Sequence, residues 1–204
     1  MLAVVALWQA PLFAQDSIFF SRSFPGSVPG YFEALVSDDG TVEYREEPGE
    51  EPVEIQLSEV ETEKVFGLAE SLNKFRGFPE PAVIEGRRVA FTGDKVVRFQ
   101  SAGTTIGEAK FDHTDQPEYR EIMQFFLSLA GSEQHLFELE RTYQFDRLGV
   151  NKALLLFHRS YDDGRLISLQ QFLPILKKIQ GQEKIIHMAR SRAASLVEAI
   201  EAQD

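Results

Sequence analysis

The chain has 204 residues, 43% hydrophobic and 26% charged, the composition of a folded globular protein rather than a disordered or fibrous one. It contains no cysteine, which excludes disulfides, thiolate zinc sites, iron–sulfur clusters and a cysteine nucleophile. Its net charge of −11 argues against a general nucleic-acid binder, and no run reaches the roughly 18 to 20 apolar residues of an integral membrane span.

The N-terminal stretch Met1 to Gln15 carries no charge. Its apolar runs, Leu2 to Leu7 and Leu12 to Phe13, followed by the small Ala14, read as a signal peptide, although no Lys or Arg precedes them. Residues 1–15 are therefore expected to be removed on export to the periplasm or the medium. The competing reading makes them a first strand or helix of the fold.

A short β-type run, Ser17 to Arg22, comes next, then a turn rich in Pro and Gly from Ser23 to Gly30. Asp38-Asp39-Gly40 lies between two alternating segments, Tyr31 to Ser37 and Thr41 to Glu46, which is a hairpin signal. Phe32, Ala34 and Val36 would share one face with Val42 and Tyr44 opposite. The acidity of the chain is local: residues 31–70 hold thirteen acids and two bases, and the rest is balanced. The densest part, Glu46 to Pro52, carries two prolines and a glycine and is expected to be a solvated loop.

Val53 to Leu57 is a further extended piece. Ser58-Glu59-Val60-Glu61 fits a capping box, opening a helix expected to run to about Phe75 with Gly77 as its stop. Three β-type runs follow, Arg88 to Thr92, Lys95 to Gln100 and Thr104 to Phe111. Residues 16–113 thus read as an antiparallel sheet with one crossing helix.

Residues 114–204 read as helical. Pro117 sits where a first helical turn would place it, and that helix is expected to end near Leu129. Ser132 looks like the start of another, and Asn151 like the cap of the next. Ser168 begins a further segment that Pro174 would kink, and a last helix is expected from about Glu183 to Ala202. The whole is an α+β protein, a sheet with one crossing helix followed by four or five helices packed on or beside it.

Three segments, Ser21 to Phe32, Arg147 to Asn151 and Gln171 to Pro174, resemble segments of uncharacterised exported bacterial proteins. The resemblance would cover most of the mature chain. It implies a signal peptide and a bacterial envelope setting, and it carries no activity and no catalytic residues.

The motifs of dinucleotide binding, P-loops, nucleophile elbows and zinc proteases are missing from the sequence. Ser71-Leu72-Asn73-Lys74 matches the Ser-x-x-Lys of penicillin-recognising enzymes, but without its partner elements and at the wrong end of its helix. Two pairs, His135 with Glu138 and Glu183 with His187, have helical spacing for a shared ligand face, and Asp112-His113-Thr114-Asp115 is a third cluster. Each is more simply a surface or capping group, so no metal and no cofactor is expected. Two loops pair aromatics with Pro and Gly and supply the candidate binding residues Phe24, Tyr31, Phe75, Arg76 and Phe78. The leading expectation is a non-enzymatic exported protein that binds an unknown protein or envelope component. The rival is a metal-assisted hydrolase using His113, His135 or His187.

Overall fold

The computed structural model describes residues 15–77 and 91–203. The expected signal peptide, with its alternative as a first element, lies outside the described residues, except for Gln15. Phe78 and residues 88–90 of the run Arg88 to Thr92 also lie outside them.

Six strands form one antiparallel sheet in the order β4-β3-β2-β1-β5-β6. They are β1 (Asp16–Ser23), β2 (Tyr31–Ser37), β3 (Thr41–Arg45), β4 (Val53–Gln56), β5 (Asp94–Ser101) and β6 (Thr104–Phe111). The β2–β3 hairpin has the expected face pairing, Ala34 opposite Tyr44 and Val36 opposite Val42. The chain returns to the other side of β1 after helix α1 (Glu59–Ser71), so that β1 sits between β2 and β5. Alternate residues of β1, β2 and β5 point into the core: Ile18 and Phe20, Phe32, Ala34 and Val36, and Val97 and Phe99. The other face carries polar ladders, such as Arg45 on Glu33 and Arg98 on Glu108. A sheet buried on one side alternates in this way, which is why its strands were legible.

The capping box is present. Ser58 Oγ accepts the Glu61 N–H, and the Glu61 carboxylate accepts the Ser58 N–H at 2.9 Å. The helix it opens is shorter than expected. It ends at Ser71, and the chain then makes a left-handed turn in which Asn73, Lys74 and Phe75 have φ of 51°, 54° and 61°. The turn drives Phe75 into the core against Tyr119, which a continued helix would not do. Residues 91 and 92, the described end of the expected run Arg88 to Thr92, are not strand.

Helix α2 (Pro117–Phe145) replaces the two helices expected on either side of Ser132. Its 29 residues span about 44 Å and belong to two apolar clusters. The first half lays Tyr119, Ile122, Phe125, Phe126 and Leu129 on the sheet, with the Phe126 ring stacked on Phe20 at 4.5 Å between centroids. The second half joins α3 (Val150–Asp162), α4 (Leu173–Gly181) and α5 (His187–Glu201). Ser132 does not cap a helix. Its hydroxyl is buried mid-helix, donates to the Ile167 carbonyl at 2.9 Å and accepts the Ile167 N–H at 3.0 Å.

Three other helix starts differ from expectation. Helix α3 begins at Val150, so Asn151 lies inside it, where its side chain accepts from Arg192. Ser168 does precede a one-turn 3-10 helix, Leu169–Phe172, but it is left-handed, with φ 52° and ψ 48°, and its side chain caps nothing; α4 follows at Leu173 with Pro174 in its first turn, so the proline opens a helix instead of kinking one. Helix α5 begins at His187, and Glu183 lies in the turn before it, which removes the helical spacing of the Glu183–His187 pair. Among the described residues no helix is long and apolar enough to cross a membrane.

Candidate functional site

Three pieces of chain meet beside the β3–β4 end of the sheet and enclose a groove of about 350 Å3, at the small end of the roughly 300–1,000 Å3 of ligand sites. The Pro/Gly turn supplies Val28. The end of β3, the acidic loop and the start of β4 supply Tyr44, Arg45, Glu46, Glu50, Glu51 and Val53, and α2 supplies Glu133, Gln134 and Phe137. Each position has a local cause. Helical spacing puts Glu133 and Phe137 one turn apart on the same stripe. Strand alternation sends Tyr44 inward from β3. The prolines and glycine of the acidic loop let the chain reverse between β3 and β4 while keeping its carboxylates in water.

The walls mix exposed hydrophobic side chains with carboxylates, of which Glu50 and Glu51 are exposed, Glu46 is half-buried and Glu133 is buried. Val28, Val53 and Phe137 are large hydrophobic side chains left open to solvent, Val28 to 84% and Phe137 to 64%. Glu46 is held at the wall by two donors, the Tyr44 hydroxyl at 2.9 Å and the Gln134 side-chain amide. Arg45, the one base among the lining residues, is engaged by Glu33 at 3.2 Å and Glu43 at 3.4 Å.

Glu133 is the unusual member. It is only 8% exposed, and its Oε1 has no hydrogen-bond partner among the described residues. Burial pushes its carboxyl up to about 7, the Glu46 and Glu140 charges push the same way, and the Gln171 amide opposes them. The Tyr44 phenol is raised too, by burial and by the Glu46 and Glu133 charges. A buried carboxylate with one oxygen left unbonded costs stability, and such groups concentrate at functional sites. The sequence does carry a signal for it. Ile122, Phe126, Ala130, Glu133 and Phe137 form one stripe of helical spacing, and a glutamate stands where the period calls for an apolar residue.

The residues singled out from sequence lie elsewhere. Phe24 is half-buried and meets Phe91 edge-on at 5.9 Å between centroids, with the Arg22 guanidinium 5.0 Å from its ring. The Tyr31 hydroxyl donates to Glu33 on the outer face of the sheet. Phe75 is fully buried in the core, so its ring offers no surface to a partner. Arg76 is exposed and its Nε donates to the Ile106 carbonyl at 3.1 Å, tying the left-handed turn to β6. The Pro/Gly turn reaches the groove through Val28, not through its aromatics.

The candidate histidines lie apart. His135 Nε2 is 2.9 Å from Ser160 Oγ, and its pKa is lowered by burial and by Arg165. Glu138, its expected companion, accepts both arms of Arg141 at 2.9 and 2.8 Å. His113 pairs with Asp115 at 3.2 Å, and His187 lies in a shallow depression with His158 and Arg192. Among the described residues no three His, Asp or Glu side chains converge on a point that could hold a metal ion. No protein-family model matches the chain, and no curated protein and no solved structure matches it either.

Proposed function

We propose that the chain is an exported, non-enzymatic binding protein of the bacterial envelope, and that the groove between Val28, Val53 and Phe137 is its recognition surface. One observation carries the reading: exposed hydrophobic side chains stand around a concave site lined by a buried glutamate, Glu133, whose Oε1 has no hydrogen-bond partner among the described residues. Monomeric proteins seldom leave contiguous apolar surface open unless something covers it, and an aromatic anchor beside a desolvated charge is the usual centre of an interface. Export rests on the apolar N-terminal run and its small Ala14.

The test is site-specific cross-linking in the native host. A photoreactive phenylalanine analogue at Phe137 should trap one partner, and the same analogue at exposed Leu148, away from the groove, should not. Equal trapping at both positions, or none at Phe137, would refute the groove as the recognition surface. Export has its own readout, because the only tryptophan is Trp8. Protein recovered from the envelope should begin near Gln15 or Asp16 and show tyrosine-like emission. Tryptophan emission would favour residues 1–15 as part of the folded protein.

A further inference from the structure

We infer that the groove receives an arginine-bearing, otherwise apolar segment of a partner protein, its guanidinium meeting the Glu133 carboxylate and its apolar neighbours covering Val28, Val53 and Phe137; this deepens the binding function proposed above and rests on it.

Charge complementarity selects the occupant. Four carboxylates line the groove, Glu46, Glu50, Glu51 and Glu133, against one base, Arg45, whose guanidinium is held by Glu33 and Glu43. The acceptor capacity of Glu46 is partly used by Tyr44 and Gln134; the Gln171 amide lies beside the Glu133 carboxylate, whose Oε1 has no hydrogen-bond donor among the described residues. A free buried acceptor asks for a donor, and a positively charged one also removes the cost of ionising the group.

Size and shape narrow it further. A volume of about 350 Å3 accommodates one or two side chains of a partner. Three exposed hydrophobic side chains, Val28, Val53 and Phe137, line the groove, so apolar residues flanking the cation would cover them. Arginine suits the site better than lysine. Its planar fork can donate to a carboxylate while its face lies on an aromatic ring, and Phe137 stands one helical turn from Glu133. An amine in water, such as a free polyamine, would gain the charge contact but leave the three hydrophobic side chains uncovered.

Binding is coupled to a proton. Glu133 must ionise to pair with the cation, and the groups that face it are the Tyr44 hydroxyl from β3, Glu46 from the acidic loop, Glu140 on its own helix and the neutral Gln171 amide. With the carboxyl at about 7, affinity should be about tenfold lower at pH 6 than at pH 8.

The test is calorimetric titration of the purified protein with acetyl-Leu-Arg-Leu-amide, its citrulline analogue and spermidine. The arginine peptide should bind at least tenfold tighter than the citrulline peptide at pH 8, and spermidine should not displace it. Glu133→Gln should cost at least tenfold in affinity and abolish the difference between pH 6 and pH 8. Attraction to the acidic loop alone would be indifferent to Glu133, so an unchanged affinity in Glu133→Gln overturns the inference. So does equal binding of the citrulline peptide, competition by spermidine, or no binding of the arginine peptide at millimolar concentration. A partner trapped at Phe137 together with any of these results would keep the groove as a recognition surface and remove only its basic ligand.

Discussion

The backbone N–H of Ser168 donates to Oε1 of Glu61 at 2.8 Å, across 107 positions of sequence. The other oxygen of that carboxylate takes the Ser58 N–H and hydroxyl, so one side chain both caps α1 and docks the segment before α4. The Ser168 hydroxyl completes the join by donating to the Gln56 carbonyl at 2.8 Å. Sheet and helical bundle are thus held together by hydrogen bonds at a residue that is left-handed and only 3% exposed.

Glu61→Ala should therefore lose a cap and leave a buried N–H without a partner, at a cost of about 2–3 kcal/mol. Urea denaturation measures it. Glu59→Ala, on an exposed neighbouring position in the same first turn, should cost less than about 0.5 kcal/mol. A similar small loss for both would mean that the carboxylate does no more than decorate the helix start.

Gly107 on β6 lies under the left-handed turn, and a Cβ there would meet the Lys74 carbonyl oxygen at 2.1 Å. Backbone cannot yield as a flexible side chain would, so either the turn or the strand must move. Gly107→Ala should cost more than about 2 kcal/mol, because the same displacement drags Phe75 out of the core. Thermal unfolding with circular dichroism would show it. A melting temperature within a degree or two of wild type would mean that the turn shifts freely.

The turn also shows where reading the sequence stops working. The Asp38–Gly40 hairpin, the capping box at Ser58 and the helix start at Pro117 depend on neighbours in sequence, and all three were legible. Left-handed Asn73 to Phe75 are held by packing of Phe75 and the approach of β6, neither of which local pattern records. Ser132 misled for the same reason. A serine ahead of a polar run resembles a helix cap, and only the distant Ile167 reveals that its hydroxyl is used elsewhere. The fold class needed only alternation and periodicity. The groove needed three segments brought together by topology, and its one local signal was a glutamate in an apolar stripe.

Lys95 gives a prediction of its own. It is 2% exposed, and its Nζ donates to the carbonyls of Thr92, Gly93 and Asp112 and to Thr92 Oγ1, tying the entry of β5 to the exit of β6. Burial pulls its pKa down to about 8, Arg22 adds to this, and Asp112 and Asp94 oppose. The folded state therefore releases its proton before the unfolded state does, and this lysine's contribution to stability rises with pH between about 8 and 10.5. Compared with wild type, Lys95→Met should lose this rise. Parallel pH dependences of the two proteins over that window would show that Lys95 stays fully charged.

The acidic loop should matter for binding and hardly for stability. Glu47, Glu50 and Glu51 are exposed, and none is in an ion pair among the described residues. Replacing all three by Gln should shift stability by less than about 0.5 kcal/mol in urea, since exposed charges contribute little. It should also weaken the arginine peptide, because two of the three carboxylates line the groove. A drop of several degrees in melting temperature would show that the loop is docked on the protein instead of solvated.

Glu133 should make the protein less stable at neutral pH than its glutamine variant, and the sign follows from its surroundings. The carboxyl titrates at about 7 when folded and near its ordinary 4.5 when unfolded. Between these values the folded state holds the proton and the unfolded state does not, so stability falls as pH rises from about 4.5 to 7 and then levels off. The full difference is on the order of 3 kcal/mol. Glu133→Gln removes the titration and keeps the shape, so the variant should match wild type near pH 4 and exceed it by up to that amount at pH 8. Guanidinium denaturation of both proteins across this range measures the gap. Curves that stay together at pH 8 would show that the carboxylate is already paired or hydrated when folded, and the arginine-binding inference would lose its free acceptor. Curves that part as described would mean that the chain carries a costly charge at the centre of its groove, stability given up at a site where a cationic partner would restore it.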